Sequence, residues 1–219
     1  MTGSGPTGTE ATPGAGRRRT IPLGVAVAAI AAVVLFVALG PLRPGGRGLF
    51  GKDEGPLTAG ATTTVGAPHD PGDTLTFGHV AVFNNGKRTA VLDRVSFEPP
   101  LPDNLRRLGI QVAPDPDRDV HTIGEMEGYP PTEFDIGRLN PLPGAEVPPR
   151  NTPEGERGVP LIMGFRFEGG DLASFRWVLV DYHIGSRRYR AKLDKTFIVC
   201  SAAAYPDGCP DREDVYPPE

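Results

Sequence analysis

Residues suited to catalysis or metal binding are scarce in this chain, which has two cysteines, four histidines and one tryptophan in 219 residues. No CxxC pair occurs, and no histidine or methionine follows Cys200, so the ligand order of a cupredoxin copper site is missing. The chain also lacks a G-x-S-x-G motif, which carries the nucleophile of many hydrolases. The sequence therefore predicts no enzymatic activity, no catalytic residues, no cofactor and no metal ligands.

A calcium-loop spacing is present but incomplete. Asp115, Asp117 and Asp119 have the D-x-D-x-D spacing of such a loop. Val120 stands where the loop needs glycine, and Met126 where it needs a bidentate glutamate. The pattern is interpreted as a polar turn.

Basic residues are too few for a nucleic-acid-binding protein. After residue 39, acidic residues outnumber basic ones by 26 to 20. A nucleic-acid-binding domain usually carries a net positive charge. The balance therefore excludes a generally basic nucleic-acid binder.

One long hydrophobic run is present, from Ile21 to Leu39, and it contains no polar side chain. About 20 apolar residues suffice to cross the hydrocarbon core of a bilayer. The three arginines at 17–19 favour a cytoplasmic N-terminus. The sequence predicts a transmembrane helix over residues 20–39 in a single-pass protein of the cell membrane, with an extracytoplasmic main domain. A cleaved signal peptide and a twin-arginine signal are the alternatives, and the length of the run and Pro41 disfavour cleavage.

Composition divides the remaining chain into four parts. Residues 1–19 are predicted to be a disordered cytoplasmic tail, and residues 40–72 a flexible stalk rich in glycine and proline. Residues 73–201 are long enough for one domain with its own core. Residues 202–219 are interpreted as a disulfide loop followed by an extended, acidic, proline-rich tail.

The two cysteines, Cys200 and Cys209, both lie on the predicted outer side of the membrane. Between them stands Pro206-Asp207-Gly208, a sequence typical of a turn. Disulfides persist in oxidising compartments. We therefore predict a structural disulfide between these cysteines.

Strand-like alternation begins at residue 73. Residues 73–84 form one predicted strand, residues 84–87 read as the tight turn of a hairpin, and a second strand follows. The apolar faces of these two strands are predicted from alternate positions, namely Leu75, Phe77, Ala81 and Phe83 in the first and Val91, Val95 and Phe97 in the second.

The C-terminal third has the strongest strand pattern. Apolar residues alternate in Val159–Phe167 and in Arg188–Val199, whereas Ser174–Ile184 is apolar on both faces. Ser174–Ile184 is therefore predicted to be a strand buried on both sides, with Trp177 in the core. Several short strands separated by turns predict an all-β fold: an immunoglobulin-like antiparallel β-sandwich preceded by one transmembrane helix, with a barrel as the alternative.

The segment from Pro114 to Pro160 is rich in proline and predicted to be mostly loop, with a short strand over Asp119–Ile123. Long loops of this kind usually wrap a sheet edge or carry a function. A small-ligand or enzymatic site built by this loop is therefore the alternative function.

Several of these segments resemble uncharacterised actinobacterial envelope proteins. The resemblance rests on residues 82–95, the proline-rich middle, and Gly164 to Cys200 with its Val180-Asp181-Tyr182 and Tyr189-Arg190. It implies one N-terminal span and an immunoglobulin-like outer domain. It implies no catalytic residues.

Charged residues gather near the end of the last predicted strands. Asp181 and His183 share one face of a strand, about 7 Å apart, and are interpreted as a solvated strand end. Arg187, Arg188 and Arg190 are candidates for contact with an anionic surface such as cell-wall polymer or lipid headgroups. A charged edge that discourages aggregation explains them as well. The predicted function is a membrane-anchored binding or assembly module, and the predicted partner is another envelope protein or a cell-wall component.

Overall fold

The computed structural model describes residues 54–113, 124–131 and 138–217. The predicted tail at 1–19, the predicted span at 20–39, residues 40–53 of the predicted stalk, the calcium-like spacing and the short strand over Asp119–Ile123 lie outside these residues. Within the described part, no helix has the length and apolar character needed to cross a membrane.

The regular secondary structure of the described chain is almost entirely β-strand, as the sequence predicts. A single helix, α1, covers Arg212–Val215 in the described residues. The strands are β1 Leu57–Ala59, β2 Thr63–His69, β3 Thr74–Asn84, β4 Ala90–Glu98, β5 Leu105–Val112, β6 Glu125–Glu127, β7 Asn140–Pro141, β8 Glu146–Val147, β9 Val159–Phe167, β10 Leu172–Ile184 and β11 Arg187–Ser201.

The strands form two sheets. The first has the order β1-β3-β9-β5-β7, with β6 paired to β3, and the second has the order β2-β11-β10-β4-β8. Neighbours run antiparallel, except that β2 runs parallel to β11. The prediction of an all-β fold with antiparallel sheets is confirmed.

Five phenylalanines join the two sheets. Phe77 and Phe165 come from the first sheet, and Phe97, Phe175 and Phe197 from the second. Their ring centroids lie 4.5–6.1 Å apart in tilted, stacked and edge-on pairs. Such contacts between rings stabilise a fold by more than the burial of their apolar area alone. The rings therefore hold the sheets face to face, as in a sandwich.

A β-bulge reverses the face of β3. Its pairing with β9 shifts between Phe77 and Val80. An extra residue in a strand exchanges inward and outward positions beyond it. Val80 and Val82 therefore lie in the core, and the prediction that Ala81 and Phe83 face inward is wrong.

A bulge also interrupts the pairing of β10 with β11, and the outer face of β10 is not a second core. The pairing with β11 shifts between Phe175 and Trp177. Trp177 is half-buried on the outer face, where Arg176 and Lys192 lie 4.9 and 4.5 Å from its ring. The predictions of a strand buried on both sides and of a core tryptophan are wrong, because charged side chains, and not a third layer, cover this face.

The turn at residues 84–87 does not close a hairpin. β3 belongs to the first sheet and β4 to the second, so the turn carries the chain from one sheet to the other. Asn84 fixes it: its side-chain amide donates to the carbonyl oxygens of Arg88 and Val147, each at 2.9 Å. The prediction of a turn at these residues is therefore correct, but β3 does not pair with β4 and pairs instead with strands of the first sheet, among them β9.

The sandwich begins before residue 73. β1 and β2 both lie within the range 40–72 that composition assigned to a flexible stalk. Leu57 is buried in the core, and the buried Lys195 donates to Thr63 Oγ1 at 2.9 Å and to the carbonyl oxygen of Ala61. Burial lowers the pKa of Lys195. The stalk prediction is wrong for these residues, because edge strands rich in glycine and threonine have the same composition as a flexible linker.

The C-terminal segment packs on the sandwich. The disulfide between Cys200 and Cys209 is present, as predicted, and Cys209 lies against Gly66 of β2. Tyr216 Oη and Ser174 Oγ share a hydrogen bond of 2.8 Å, and Arg212 pairs with Asp194. The interpretation of the residues after the disulfide loop as an extended tail is therefore wrong for those described, up to residue 217.

Reduction of this disulfide is expected to lower the free energy of unfolding by about 2–3 kcal/mol, because it releases a short loop in the unfolded chain. The measurement is denaturant unfolding of the full chain in detergent, with and without reductant. Since the chain has only two cysteines, the double variant Cys200→Ser with Cys209→Ser is the matched control and should no longer respond to reductant. Equal transition midpoints before and after reduction would contradict the prediction.

Described parts of the proline-rich segment cover the first sheet. The ring of Tyr129 lies so close to Gly109 and Gly164 that a Cβ at either position would clash with it. Met126 and Ile162 form a small apolar cluster beside it. This agrees with the expectation that the segment wraps a sheet.

Candidate functional site on the outer face of the second sheet

A bulge in β4 exposes two charged residues in a row. The pairing of β4 with β10 shifts between Asp181 and Tyr182, which lie opposite Arg94 and Leu92. Asp93 is the extra residue, so Asp93 and Arg94 both project outward while Leu92 stays buried. The bulge therefore brings two charged side chains to the same surface.

Asp181 lies between two arginines from the neighbouring strands. Arg94 Nη2 donates to its Oδ2 at 3.0 Å, and Arg190 Nε donates to its Oδ1 at 2.8 Å. The Asp181 side chain is 7% exposed, whereas those of Arg94 and Arg190 are 64% and 38% exposed. The hydrogen bond and the charge of Asp181 raise the pKa of Arg190. The buried carboxylate fixes both guanidinium groups at the surface, where they keep further donors for a ligand.

A histidine and an aspartate form a second pair beside this triad. His183 Nδ1 lies 2.9 Å from Asp93 Oδ1. A carboxylate only accepts, so Nδ1–H is the donor and Nε2 remains available to the solvent side. Both side chains are more than one third exposed.

These residues line an open groove of about 600 Å³. Its walls come from β4, β10 and the turn between β10 and β11, and its lining residues are Asp93, Arg94, Asp181, His183, Gly185, Ser186 and Arg188. The groove thus offers cationic and hydrogen-bonding groups to a ligand with an anionic group. In the described residues, no hydrogen bond joins Ser186 to His183, and no group of three acids, histidines or cysteines is arranged to hold a metal ion.

The structure brings together two of the three predicted arginines. Arg188 lines the groove, and Arg190 holds Asp181 beneath it. Arg187 belongs to the opposite face of β11, where its guanidinium lies 5.2 Å from the ring of Tyr189. Asp181 and His183 also line the groove. Their interpretation as a solvated strand end did not include the contacts of Asp181 with two arginines or of His183 with Asp93.

Asp93 and Arg94 were missed by the sequence reasoning. The sequence does contain a signal for the bulge. Two adjacent charged residues interrupt the alternation between Leu92 and Val95, a pattern that one extra residue in a strand produces. Their contacts with β10 join residues almost 90 positions apart, and no local pattern gives that pairing.

Within the described residues, the proline-rich segment does not contribute to this groove. None of the groove's lining residues comes from residues 114–160. Residues 150–156 line a separate hollow of about 380 Å³. Glu125, which lies in this segment, pairs with His69. The described residues of the loop therefore line a hollow of their own, and none of them contributes to the groove.

Comparisons with known proteins give no family. No family model matches the chain, and no curated protein does. Among solved structures, the chain is similar to the VesB protease of Vibrio cholerae, with 8% sequence identity and a TM-score of 0.32. The match covers 66% of this chain and 32% of the protease chain. A likeness at this score carries no argument for fold or activity.

Proposed function

We propose that the protein is a single-pass membrane protein whose extracytoplasmic sandwich is a non-catalytic binding or assembly module. Residues 20–39 are the proposed span, with the N-terminus in the cytoplasm. The apolar length of that segment and the arginines before it support this orientation. The resemblance to actinobacterial envelope proteins supports the same arrangement.

The order of the strands supports an immunoglobulin-type sandwich. Such domains have strands in the order A-B-E-D in one sheet and C-F-G in the other. With β1, β3, β5 and β9 taken as A, B, D and E, the first sheet reads A-B-E-D. With β4, β10 and β11 taken as C, F and G, the second reads C-F-G. β2, parallel to β11, continues strand A on the second sheet.

The groove on the second sheet is the proposed binding site. The observation that carries this proposal is the buried Asp181 beneath an open groove, which holds Arg94 and Arg190 in place before any ligand arrives. Charge-assisted and bidentate hydrogen bonds from arginine suit carboxylate and phosphate groups. The proposed partner is therefore an envelope component, protein or cell-wall polymer, that presents an anionic group.

A photo-crosslinking amino acid at position 186 of the full-length chain tests the groove inside cells. We expect a discrete adduct from this position and none from position 103, which lies in the loop between β4 and β5. Arg188→Glu reverses the charge beside the crosslinker and is expected to reduce the adduct about tenfold, equivalent to the loss of one strong charge-assisted contact.

Arg188→Lys is the matched control, since it keeps the charge at the groove wall. Adducts that form equally from positions 186 and 103, or that survive Arg188→Glu unchanged, would refute the groove as the binding site.

A further inference from the structure

The described chain enters the sandwich at one definite end. The hydroxyl of Tyr182 donates to the carbonyl oxygen of Glu54 at 2.9 Å and accepts from the backbone N–H of Leu57 at 3.2 Å. Gly55 lies against the stacked rings of Tyr182 and Tyr189, which leave no room for a Cβ there. The first described residues are thus held beside the end of β10 and the start of β11.

Two connecting turns meet at this same end. The backbone N–H of Asn85 in the turn after β3 donates to the carbonyl oxygen of Pro56 at 3.0 Å. In the turn after β10, a Cβ added at Gly185 would lie 2.8 Å from Nη2 of Arg88. Residues 85–88 and 185–188 therefore form one surface next to Glu54, which we call the tether-side tip.

The tether-side tip is basic. Its two turns contain four exposed cationic residues and no acidic residue, namely Lys87, Arg88, Arg187 and Arg188. Glu54 lies at the same end, and the neighbouring loop at 150–157 is balanced, with two arginines and two glutamates.

The opposite end of the sandwich has the reverse charge. Three of its loops, 70–73, 99–104 and 168–171, contain five acidic residues and no lysine or arginine, the acids being Asp70, Asp73, Asp103, Glu168 and Asp171. The backbone N–H of Glu168 donates to the carbonyl oxygen of Asn104 at 2.8 Å, which brings two of these loops together. The described part of the domain therefore carries opposite charge at its two ends, although the net charge of the chain is negative.

The basic end is also the end nearest to the proposed span. Only the 14 residues 40–53 separate the end of that span from Glu54. Their glycine- and proline-rich composition predicts a flexible linker, and a linker of this length has a root-mean-square reach of about 20 Å. Attraction to a charged bilayer acts within a Debye length, about 8 Å at physiological salt. A linker with a reach of about 20 Å allows the tip to come within a Debye length of the headgroups.

We propose that the tether-side tip docks on anionic lipid headgroups of the membrane that anchors the chain. Clusters of lysine and arginine beside a membrane anchor bind anionic lipid surfaces electrostatically. The acidic far end then points away from the bilayer, and the groove, which shares Gly185, Ser186 and Arg188 with the tip, lies close to the membrane. This proposal rests on the proposed span at residues 20–39.

The test uses the full chain reconstituted into vesicles with the domain outside. An environment-sensitive fluorophore is attached at Thr89→Cys, next to the tip, or at Asp103→Cys at the far end, without reductant so that the native disulfide remains intact. The vesicles contain phosphatidylcholine alone or with about 30% phosphatidylglycerol, an amount that gives a strongly negative surface. Lipids with spin-labelled headgroups quench a fluorophore that lies at the surface.

We expect quenching at position 89 to be at least threefold stronger in the phosphatidylglycerol vesicles, and to return to the neutral-lipid level in 0.5 M NaCl. Quenching at position 103 should stay low in both. Lys87→Glu with Arg88→Glu should abolish the difference at position 89, whereas Lys87→Arg with Arg88→Lys should preserve it.

The possible failures are distinguishable. If the labelled chain does not float with the vesicles after a high-pH wash, the proposed span is wrong and the docking proposal falls with it. If the chain floats but position 89 is quenched equally in both vesicle types, the span stands and docking of the tip is refuted. Quenching that survives the charge reversal also refutes it.

Discussion

Phe175→Ala is expected to lower the free energy of unfolding by about 3–5 kcal/mol, the usual cost of removing a large side chain from a core. Phe175 is fully buried, and its ring contacts Phe77, Phe97, Phe165 and Phe197, which represent both sheets. Its removal therefore leaves a cavity where the two sheets meet. The measurement is denaturant unfolding of the full chain in detergent, followed by far-ultraviolet circular dichroism.

Trp177→Ala is the matched control, two positions along the same strand. Trp177 lies beyond the bulge, on the outer face, between Arg176 and Lys192. Its removal forfeits partial burial and cation–π contacts and is expected to cost about 1 kcal/mol. A loss as large as that of Phe175→Ala would show that Trp177 belongs to the core, and that the assignment of faces beyond the bulge is wrong.

The second large effect is expected at an ion pair between the edges of the two sheets. His69 ends β2 in the second sheet, and its Nε2 contacts Oε1 of Glu125 on β6 in the first sheet. Their side chains are 11% and 10% exposed. His69→Ala leaves a buried carboxylate without its partner and is expected to destabilise by about 3–5 kcal/mol.

The same pair predicts a dependence of stability on pH. The hydrogen bond that His69 donates to Glu125 raises the pKa of His69 above its ordinary value, against the opposing effect of burial, and Asp73 at 3.4 Å adds to the rise. Because the folded pKa is the higher one, this stabilisation is fully present below about pH 6.5 and is lost as the pH rises through the folded value. The free energy of unfolding should therefore fall as the pH is raised above 6.5.

Unfolding curves between pH 6 and pH 9 measure this slope. Glu125→Gln removes the charge that raises the pKa of His69, at nearly constant shape, and should flatten the slope over this range. Asp73→Asn removes only the weaker contribution and should retain most of it. Identical slopes in the wild type and in Glu125→Gln would mean that this pair does not set the pH dependence.

The accuracy of the strand predictions differed along the chain. β9 and β11 were recognisable because alternate residues such as Leu161, Met163 and Phe165 must all face the core in a strand with period two. β1 and β2 were missed because edge strands with polar and small residues carry little alternation. β3, β4 and β10 were recognised as strands, but bulges in β3 and β4 exchanged the faces of some residues, and the outer face of β10 was predicted to be buried.

The candidate site was predictable only in fragments. Asp181, His183, Arg188 and Arg190 stood out as charged residues near the end of two adjacent strands, because β10 and β11 form a hairpin whose register follows from the Gly185 turn. The contribution of β4 could not be predicted, since its pairing with β10 crosses more than 80 residues of chain. Without that pairing, neither the pair of arginines around Asp181 nor the Asp93–His183 pair exists.

The sequence by itself determined the class of fold, the disulfide and the main turns, because alternation, cysteine spacing and turn preferences act over a few neighbouring residues. Tertiary structure alone decided which strands pair, where the bulges fall and which charges share a surface. β3 leaves its sequence neighbour and pairs with β9 because the phenylalanines of both sheets can then meet in one core. That packing is a property of distant residues together, and for this reason neither the groove nor the polarised ends of the domain were foreseen in the sequence.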